Sequence, residues 1–166
     1  GPNEAEFIAY RILYFIYTKS THSINRLLKS LYDHSDWSRK MRESAGVHHA
    51  LEVRRAVHTN NYHNFVLLLQ NVPNLGFHIM KQMLPRMRLS ALQRMCKTYR
   101  PTLPGAFIKK ELGFEDHNAP EKIVEVVKGM GVVFQDEEET LIACQKSFKP
   151  LIEYGRNLVT RRLKST

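Results

Sequence analysis

The sequence predicts an all-α fold: a helical-repeat bundle of paired helices, followed by a winged helix with a small β-hairpin wing near the C-terminus. Apolar residues recur at helical spacing through most of the chain, and Pro, Gly and Asn separate these segments at short intervals. Near the end, three short helical segments precede two runs of strand-forming residues. We expect a helical bundle over 3–86, a winged-helix subdomain over 87–146 and a basic C-terminal helix over 147–166.

The first helix is expected to begin at Asn3, which can cap it, with Glu6 three residues later. This helix is apolar around most of its circumference, so we expect it to be buried between neighbours. Its ring side chains have helical spacing and are assigned to the core: Tyr10, Tyr14, Phe15 and Tyr17.

Four further helices are predicted in the first half. They run from Thr21 to Leu31, from Ser44 to His58, from Tyr62 toward Pro73, and from Asn74, as a cap, to Leu84. The polar stretch 33–41 is expected to be a connection. Such paired helices stack, although no strict sequence period is present.

The second half predicts helices over Leu89–Tyr99, Gly105–Leu112 and Pro120–Met130, with an interruption at Pro101–Pro104. Gly131 ends the third helix, and Val132–Phe134 and Thr140–Cys144 are expected to pair as a hairpin around a turn at 136–139. This is the order of a winged helix, in which the second and third helices form a helix-turn-helix. A basic helix from Phe148 to Leu163 closes the chain.

The distribution of charge points to a polyanion. The net charge is +9, and the 58 residues from Val53 to Lys110 contain ten Lys and Arg but no Asp or Glu. Because the same stretch is rich in apolar residues, its charge belongs to a folded surface. The candidate contacts with RNA or DNA phosphates are Arg86, Arg88, Arg94, Lys97, Arg100, Lys109, Lys110, Lys122, Lys128, Arg161 and Arg162. No base-reading residue can be named, so binding should be electrostatic and steeply dependent on salt.

Catalysis finds little support. His48, His49, His58 and His63 lack zinc-motif spacing, and Gly129 and Gly131 lie at a helix end instead of in a phosphate loop. Cys96 and Cys144 are isolated cysteines in apolar settings, which predicts buried thiols in a reducing compartment. We expect no enzyme activity, metal, cofactor, small-molecule substrate or membrane span, and a soluble intracellular protein. Gly1-Pro2 followed at once by a helix cap suggests a fragment of a longer protein.

Three segments carry a family resemblance: Asn3-Glu4-Ala5-Glu6-Phe7 with Tyr10, the element from Tyr62 to Phe65, and Lys97-Thr98-Tyr99-Arg100-Pro101. They resemble the germinal-centre-associated nuclear protein family of PCI-domain proteins, most closely its leukocyte receptor cluster member 8 branch with a yeast mRNA-processing counterpart. The resemblance implies a nuclear, non-catalytic scaffold that couples transcription to mRNA processing or export. It also implies pairing with a second PCI protein and, in some complexes, a small acidic subunit.

The predicted hairpin is the candidate surface for that pairing, since a two-stranded ribbon is rarely stable unless other strands extend it. The candidate residues are Val132, Val133, Phe134, Asp136, Glu137, Glu138, Glu139, Leu141 and Ile142. The acidic tip departs from the basic wings that lie on phosphates. The apolar members could equally cover the core of their own domain. Two functions therefore stay open: a nucleic-acid-binding scaffold, or a pure protein-interaction module of a PCI complex.

Overall fold

The computed structural model describes residues 3–99, 101–112, 120–136 and 141–164, with the side chains of 109, 120–123 and 159–164 left aside. Within this part, the chain forms nine helices and two short antiparallel strands. It divides into two compact units, residues 1–85 and 86–166. The prediction of a mostly helical fold with a small β element is confirmed.

The first unit is a packed set of helices. It contains α1 (Glu4–Thr18), α2 (Thr21–Leu31), α3 (Asp36–Glu43), α4 (Ala45–His58), α5 (Tyr62–Gln70) and the first part of α6 (Gly76–Thr98). Helix α1 packs mainly against α4 and also against α2, while α4 contacts α3 and α5. The fully buried side chains of this core include Ile12, Leu31, Val47, Val53, Phe65 and Met80.

One predicted helix cap is confirmed in position only, and another is wrong. Asn3 occupies the N-cap position of α1 as predicted, but its side chain makes no capping hydrogen bond, and the Glu6 carboxylate accepts a hydrogen bond from the Tyr10 hydroxyl instead of closing a capping box. Asn74 adopts a left-handed conformation with φ 55°, and the helix begins two residues later at Gly76. Asn tolerates this conformation better than most residues, so Asn74 turns the chain into the helix without capping it.

Helix α3 corrects the prediction that 33–41 is a connection. Its N-cap is Ser35, whose hydroxyl accepts a hydrogen bond from the Ser38 backbone N–H at 3.1 Å. Only Ser38 and Met41 of this helix are buried. Six of its eight residues are polar or charged, so the stretch was interpreted as a connection, although Trp37 and Met41 are spaced four residues apart, as on one side of a helix.

The assignment of the α1 rings to the core is wrong. Tyr14 is 55% exposed, and Tyr10, Phe15 and Tyr17 are only half-buried. The buried face of α1 is aliphatic and consists of Ile8, Ala9, Ile12, Leu13 and Ile16. The apolar surface of α1 is therefore wider than the face that it buries in the core.

Helix α6 runs without interruption through Pro85, where two helices were predicted. A proline inside a helix costs about 3 kcal/mol, because it removes one hydrogen bond and crowds the preceding turn. The methionines on either side of it, Met80, Met83 and Met87, are all buried. Each contributes about 1.5–3 kcal/mol on burial, which outweighs the cost of the proline.

The second unit combines helices with a two-stranded sheet. After the end of α6 it contains β1 (Thr102–Pro104), α7 (Gly105–Glu111), α8 (Pro120–Gly129), β2 (Leu141–Ala143) and α9 (Cys144–Lys164). Strands β1 and β2 pair antiparallel, with Thr102 opposite Ala143 and Pro104 opposite Leu141. Its buried residues include Leu92, Cys96, Leu103, Ile108, Leu112, Ile142 and Leu151.

The predicted pairing of Val132–Phe134 with Thr140–Cys144 is present only as a single bridge, and the regular partner of β2 is a different segment. Strand β2 pairs regularly with β1, the segment that was expected only to interrupt the chain, while Phe134 forms a single bridge to Ile142. Hydrogen bonds from Gln135 N–H to the Leu141 carbonyl and from Ala143 N–H to the Val133 carbonyl, both 2.8 Å, hold this segment beside β2. Strand β2 thus has neighbours on both sides.

Two contacts fix this segment on α9. Gly131, at φ 98°, ends α8, and a Cβ atom there would lie 2.7 Å from the Pro150 Cβ, so only glycine fits without a shift. The buried Ser147 hydroxyl lies 2.8 Å from both the Val133 N–H, which donates to it, and the Ala143 carbonyl, to which it donates.

Candidate nucleic-acid interface

Basic side chains form a row on the second part of α6. Arg86, Ser90, Arg94 and Lys97 are spaced three or four residues apart, so they lie along one side of the helix. Arg94 and Lys97 are exposed, and Arg86 and Ser90 are half-buried. The residues between them, such as Met95, point into the core. Local helical spacing alone therefore aligns three of the predicted cations.

Arg88 occupies a different position. It is half-buried, and its Nε–H donates a hydrogen bond to the carbonyl of Leu112 at 3.2 Å, at the end of α7. Burial lowers the pKa of the Arg88 guanidinium to about 10, which leaves it charged at neutral pH. Its guanidinium satisfies a carbonyl that the helix end leaves without an intrahelical partner. Arg88 therefore makes a structural contact within the second unit and is not part of the exposed row.

Helix α7 adds one exposed cation, Lys110. Neither Arg94, Lys97 nor Lys110 forms an ion pair with another residue in the described part of the chain. Their charges therefore remain available to an anionic ligand. The neighbouring Lys109 side chain and Arg100 lie outside the described residues.

The remaining predicted cations belong to α8 and α9. Lys128 is exposed, and its ammonium lies 5.7 Å from the ring centroid of Phe134, within the range of a cation–π contact. Lys122 is in α8, and Arg161 and Arg162 are in α9, but their side chains lie outside the described residues. Lys128 therefore has an aromatic neighbour that can hold its side chain beside the bridge to β2.

The sequence reasoning missed an aromatic pair beside these cations. The rings of Tyr99 and Phe107 meet edge to face, with centroids 5.7 Å apart and an interplanar angle of 60°. Tyr99 directly follows α6 and is 48% exposed, while Phe107 is a half-buried residue of α7. The motif Lys97-Thr98-Tyr99-Arg100-Pro101 contained the signal, since it places an aromatic residue between basic ones.

The candidate partner surface divides into buried and exposed residues. Val132 and Ile142 are buried, whereas Val133 and Leu141 are each 37% exposed and Phe134 is half-buried. The carboxylate of Asp136 accepts a hydrogen bond from the Leu141 N–H at 2.9 Å. Val132 and Ile142 therefore belong to the core of the second unit, and Asp136 is tied to the start of β2. Glu137, Glu138 and Glu139 lie outside the described residues.

Both cysteines are buried free thiols, as predicted. Burial raises the pKa of the Cys96 thiol to about 12, and the neighbouring Cys144 contributes in the same direction. A thiol with this pKa stays protonated at neutral pH and is a poor nucleophile. Despite their separation in sequence, the two cysteines thus lie near one another in the core.

The first unit carries a groove whose lining mixes apolar and polar residues. It has a volume of about 520 Å³ and is lined in part by Phe7, Ile8, Phe15 and Trp37. Phe7 is 65% exposed, and the Trp37 indole N–H donates a hydrogen bond to the Glu4 carboxylate at 3.0 Å. These rings are outside the core, so the first unit offers aromatic surface to solvent.

The described residues contain neither a candidate membrane-spanning helix nor a candidate metal site. No described helix is long and apolar enough to cross a membrane. No three described His, Cys, Asp or Glu residues are arranged so that they could hold a metal ion.

Comparison with known proteins identifies relatives over most of the chain. Residues 1–136 match the SAC3/GANP family. The chain is 35% identical to the THP3 homolog of Schizosaccharomyces pombe over 145 residues, which cover 87% of this chain and 34% of that protein. It is 32% identical to the leukocyte receptor cluster member 8 homolog of Xenopus laevis over 149 residues, 90% of this chain and 18% of that protein.

A plant relative extends the comparison. The chain is 36% identical to SAC3 family protein A of Arabidopsis thaliana over 109 residues, 66% of this chain and 10% of that protein. The chain thus spans about a third or less of the length of these curated relatives. The resemblance seen in the three short sequence segments is confirmed: the chain belongs to the SAC3/GANP family.

Proposed function

We propose that the chain is a non-catalytic scaffold domain that binds RNA through the exposed cations of its second unit. The observation that carries this proposal is the basic face, defined here as the exposed residues Arg94, Lys97 and Lys110 together with the half-buried Arg86 of the same helix row. It belongs to a stretch of 58 residues without a carboxylate side chain. Arg86, Arg94 and Lys97 therefore have no acidic neighbour along the chain that would repel phosphate, whereas Lys110 is followed directly by Glu111.

We further infer that the second unit is a winged helix. Its elements follow the order helix, strand, helix, helix and strand, and β2 lies between β1 and the Phe134 segment. In this interpretation the end of α6 is the first helix, and α7 and α8 are the two helices of the helix-turn-helix. The segment predicted as the tip of the wing, 136–139, lies outside the described residues except for Asp136. A helical bundle joined to such a unit is the PCI architecture that the family resemblance implies.

We propose a nuclear role in transcription-coupled mRNA processing, including splicing and elongation, or in mRNA export, as the family resemblance implies. Membership of the SAC3/GANP family, with a THP3 homolog among the relatives, supports the general part of this proposal, a role related to mRNA processing or export. A domain that covers a third or less of such proteins would act as one binding module of a larger scaffold.

A second PCI protein is the partner that we propose for the exposed edge of the bridge region. Val133 and Leu141 supply apolar surface, and the acidic residues of the segment 136–139 would face a basic patch of the partner or lie beside a small acidic subunit. Val132 and Ile142 are left out of this contact because they are buried. Val133→Glu with Leu141→Glu should abolish co-purification of the PCI partner and leave RNA affinity unchanged; retained pairing would refute this surface.

The RNA-binding proposal is tested by a salt titration with matched charge variants. The test variant carries Arg94→Gln, Lys97→Gln and Lys110→Gln. The control carries Lys29→Gln, Lys40→Gln and Arg55→Gln, which removes the same charge from exposed positions of the first unit. Binding of a labelled single-stranded RNA is measured over a range of salt concentrations.

The two variants should behave differently. Loss of three phosphate contacts should lower the slope of log affinity against log salt by about 2 and weaken binding about 10- to 100-fold at low salt. The control should retain the wild-type slope, because it removes charge without removing contacts. Equal losses in both variants would mean that net charge alone drives binding.

Absence of RNA binding by the wild-type chain at low salt would favour the alternative, a protein-interaction module without direct nucleic-acid binding. The groove that Phe7 and Trp37 line in the first unit is the observation that supports this alternative. In that case, truncation of Phe7 or Trp37 should weaken binding of the protein partner, and RNA should not bind the chain at all.

A further inference from the structure

We infer that Tyr99 is a stacking site for one unpaired base of single-stranded RNA bound on the basic face. This inference rests on the function proposed above and adds to it a contact with a base, where the basic face alone meets only phosphates. Tyr99 would thereby select RNA with unpaired bases.

The geometry of Tyr99 suits a stacking role. Tyr99 is 48% exposed, although it lies directly at the end of a helix whose neighbouring residues Met95 and Cys96 are buried. An aromatic ring gains most of its stabilising free energy from contact with another flat apolar surface. A purine or pyrimidine offers such a surface, and every base has one, so stacking tolerates any sequence.

Phe107 holds the ring in place. The edge-to-face contact at 5.7 Å, with an angle of 60° between the ring planes, fixes the orientation of Tyr99 against α7. A ring that is already ordered loses little conformational entropy when a ligand stacks on it. An edge-to-face contact also cannot cover both faces of both rings, which agrees with the partial exposure of Tyr99.

The surrounding charges decide which ligand fits. Lys97 precedes Tyr99 by two residues, and Lys110 follows Phe107 by three, so it leaves α7 on the same side as that ring. Both lysines are exposed. An aromatic ring between free cations matches a strand that carries phosphates and bases together, whereas an apolar peptide would leave the ammonium groups without partners.

Other exposed rings lack this combination. Tyr14 is 55% exposed and contacts Phe15, but it belongs to the first unit, outside the acid-free stretch. It serves as a matched control, because its removal deletes an exposed ring of the same kind.

The test compares a short oligouridylate with a ribose-phosphate chain of the same length that lacks bases. Both ligands offer the same phosphates, so any difference in affinity comes from the bases. The wild-type chain should bind the oligouridylate about five- to tenfold more tightly, as expected for one base stacked on one ring. Tyr99→Leu should abolish this preference, Tyr99→Phe should retain it, and Tyr14→Leu should leave it unchanged.

Each outcome separates the two proposals. Equal binding of the two ligands by the wild-type chain would overturn stacking and leave the basic face as a phosphate site. Binding of neither ligand would overturn RNA binding itself, and stacking with it. Stronger binding to a duplex of equal length than to oligouridylate would also contradict the inference, because paired bases cannot reach the ring. Thermal unfolding of Tyr99→Leu checks that the variant remains folded, and the comparison in the wild-type chain needs no variant.

Discussion

The two units of the molecule have similar net charge and differ in how they arrange their residues. The first contains ten basic and six acidic residues, and the second fifteen and ten. In the second unit, however, seven basic residues come from 86–110, where acids are absent. Net charge is thus a poor guide to the binding surface, and the local order of charges is a better one.

The units also differ in what holds them together. The first is stabilised by apolar faces of neighbouring helices, with Phe65 and Val53 fully buried. The second adds contacts between residues far apart in sequence: the pairing of β1 with β2, the seat of Gly131 on Pro150, and the hydrogen bond from Arg88 to Leu112. Substitutions in the two units should therefore act through different physical causes.

The largest effect is expected in the first unit. Phe65→Ala should lower the free energy of unfolding by about 3–5 kcal/mol, because it removes a fully buried ring and leaves a cavity. Leu67→Ala, at a largely exposed position of the same helix, should cost less than about 1 kcal/mol. Urea unfolding of both variants measures the difference, and similar losses would show that burial does not govern this unit.

In the second unit, the backbone should be the sensitive element. Gly131→Ala should destabilise the fold by about 2–3 kcal/mol, since alanine disfavours a φ of 98° and its Cβ would overlap Pro150. Gly129→Ala is the control: it lies in α8, and an added Cβ meets no atom within 4 Å. We expect that variant to be neutral or more stable by up to about 1 kcal/mol.

Hydrogen exchange locates the effect of Gly131→Ala. Amides of β2 and of the first turns of α9 should lose protection, because Gly131 and Pro150 join the segment before β2 to that helix. Unchanged protection there would mean that the close approach contributes nothing to this packing.

Arg88 and Arg94 sharpen the distinction between a structural cation and a binding one. Arg88→Gln should lower the free energy of unfolding by about 1–2 kcal/mol, because it deletes the hydrogen bond to Leu112, and should leave the salt slope of RNA binding unchanged. Arg94→Gln should reduce that slope by about 1 and change stability by less than about 0.5 kcal/mol. If Arg88→Gln lowered the salt slope and Arg94→Gln lowered the stability, Arg88 would be the binding cation and Arg94 the structural one.

How far the sequence predicted the molecule depends on how local each signal is. Helices α2 and α4 follow from apolar residues at i, i+3 and i+4, and the structure has them within a residue of the predicted bounds. The break at Pro85 was wrong, because burial of Met80, Met83 and Met87 outweighs the local penalty.

The strands could not be predicted from local sequence signals. Pairing of Thr102 with Ala143 joins segments about forty residues apart, and no local pattern encodes it. Pro101 and Pro104 were taken as breakers, yet a proline can end a strand at the edge of a sheet. The alignment of Arg86, Arg94 and Lys97 could be expected from helical spacing, whereas the inward position of Arg88 depends on the end of α7 and could not.

The buried thiols provide the last and smallest test. Burial raises the pKa of Cys96 to about 12, above its ordinary value of 9.0. The thiol therefore stays protonated in the folded chain at pH values where it ionises in the unfolded one. This contribution to stability is fully present below pH 9 and is lost as the pH rises toward 12, at about 1.4 kcal/mol per pH unit.

Cys96→Ala isolates that contribution from the titration of tyrosines and lysines. The wild-type chain should lose about 1.2 kcal/mol more than the variant between pH 9.5 and 10.5, as measured by urea unfolding at each pH. The thiol should also react with a thiol reagent at pH 8 only as fast as the chain opens, because the reactive thiolate is nearly absent while Cys96 is buried. If the stability of the two chains changed in parallel with pH, Cys96 would have the same pKa in the folded and the unfolded state. Burial of this thiol would then make no pH-dependent contribution to the stability of the second unit.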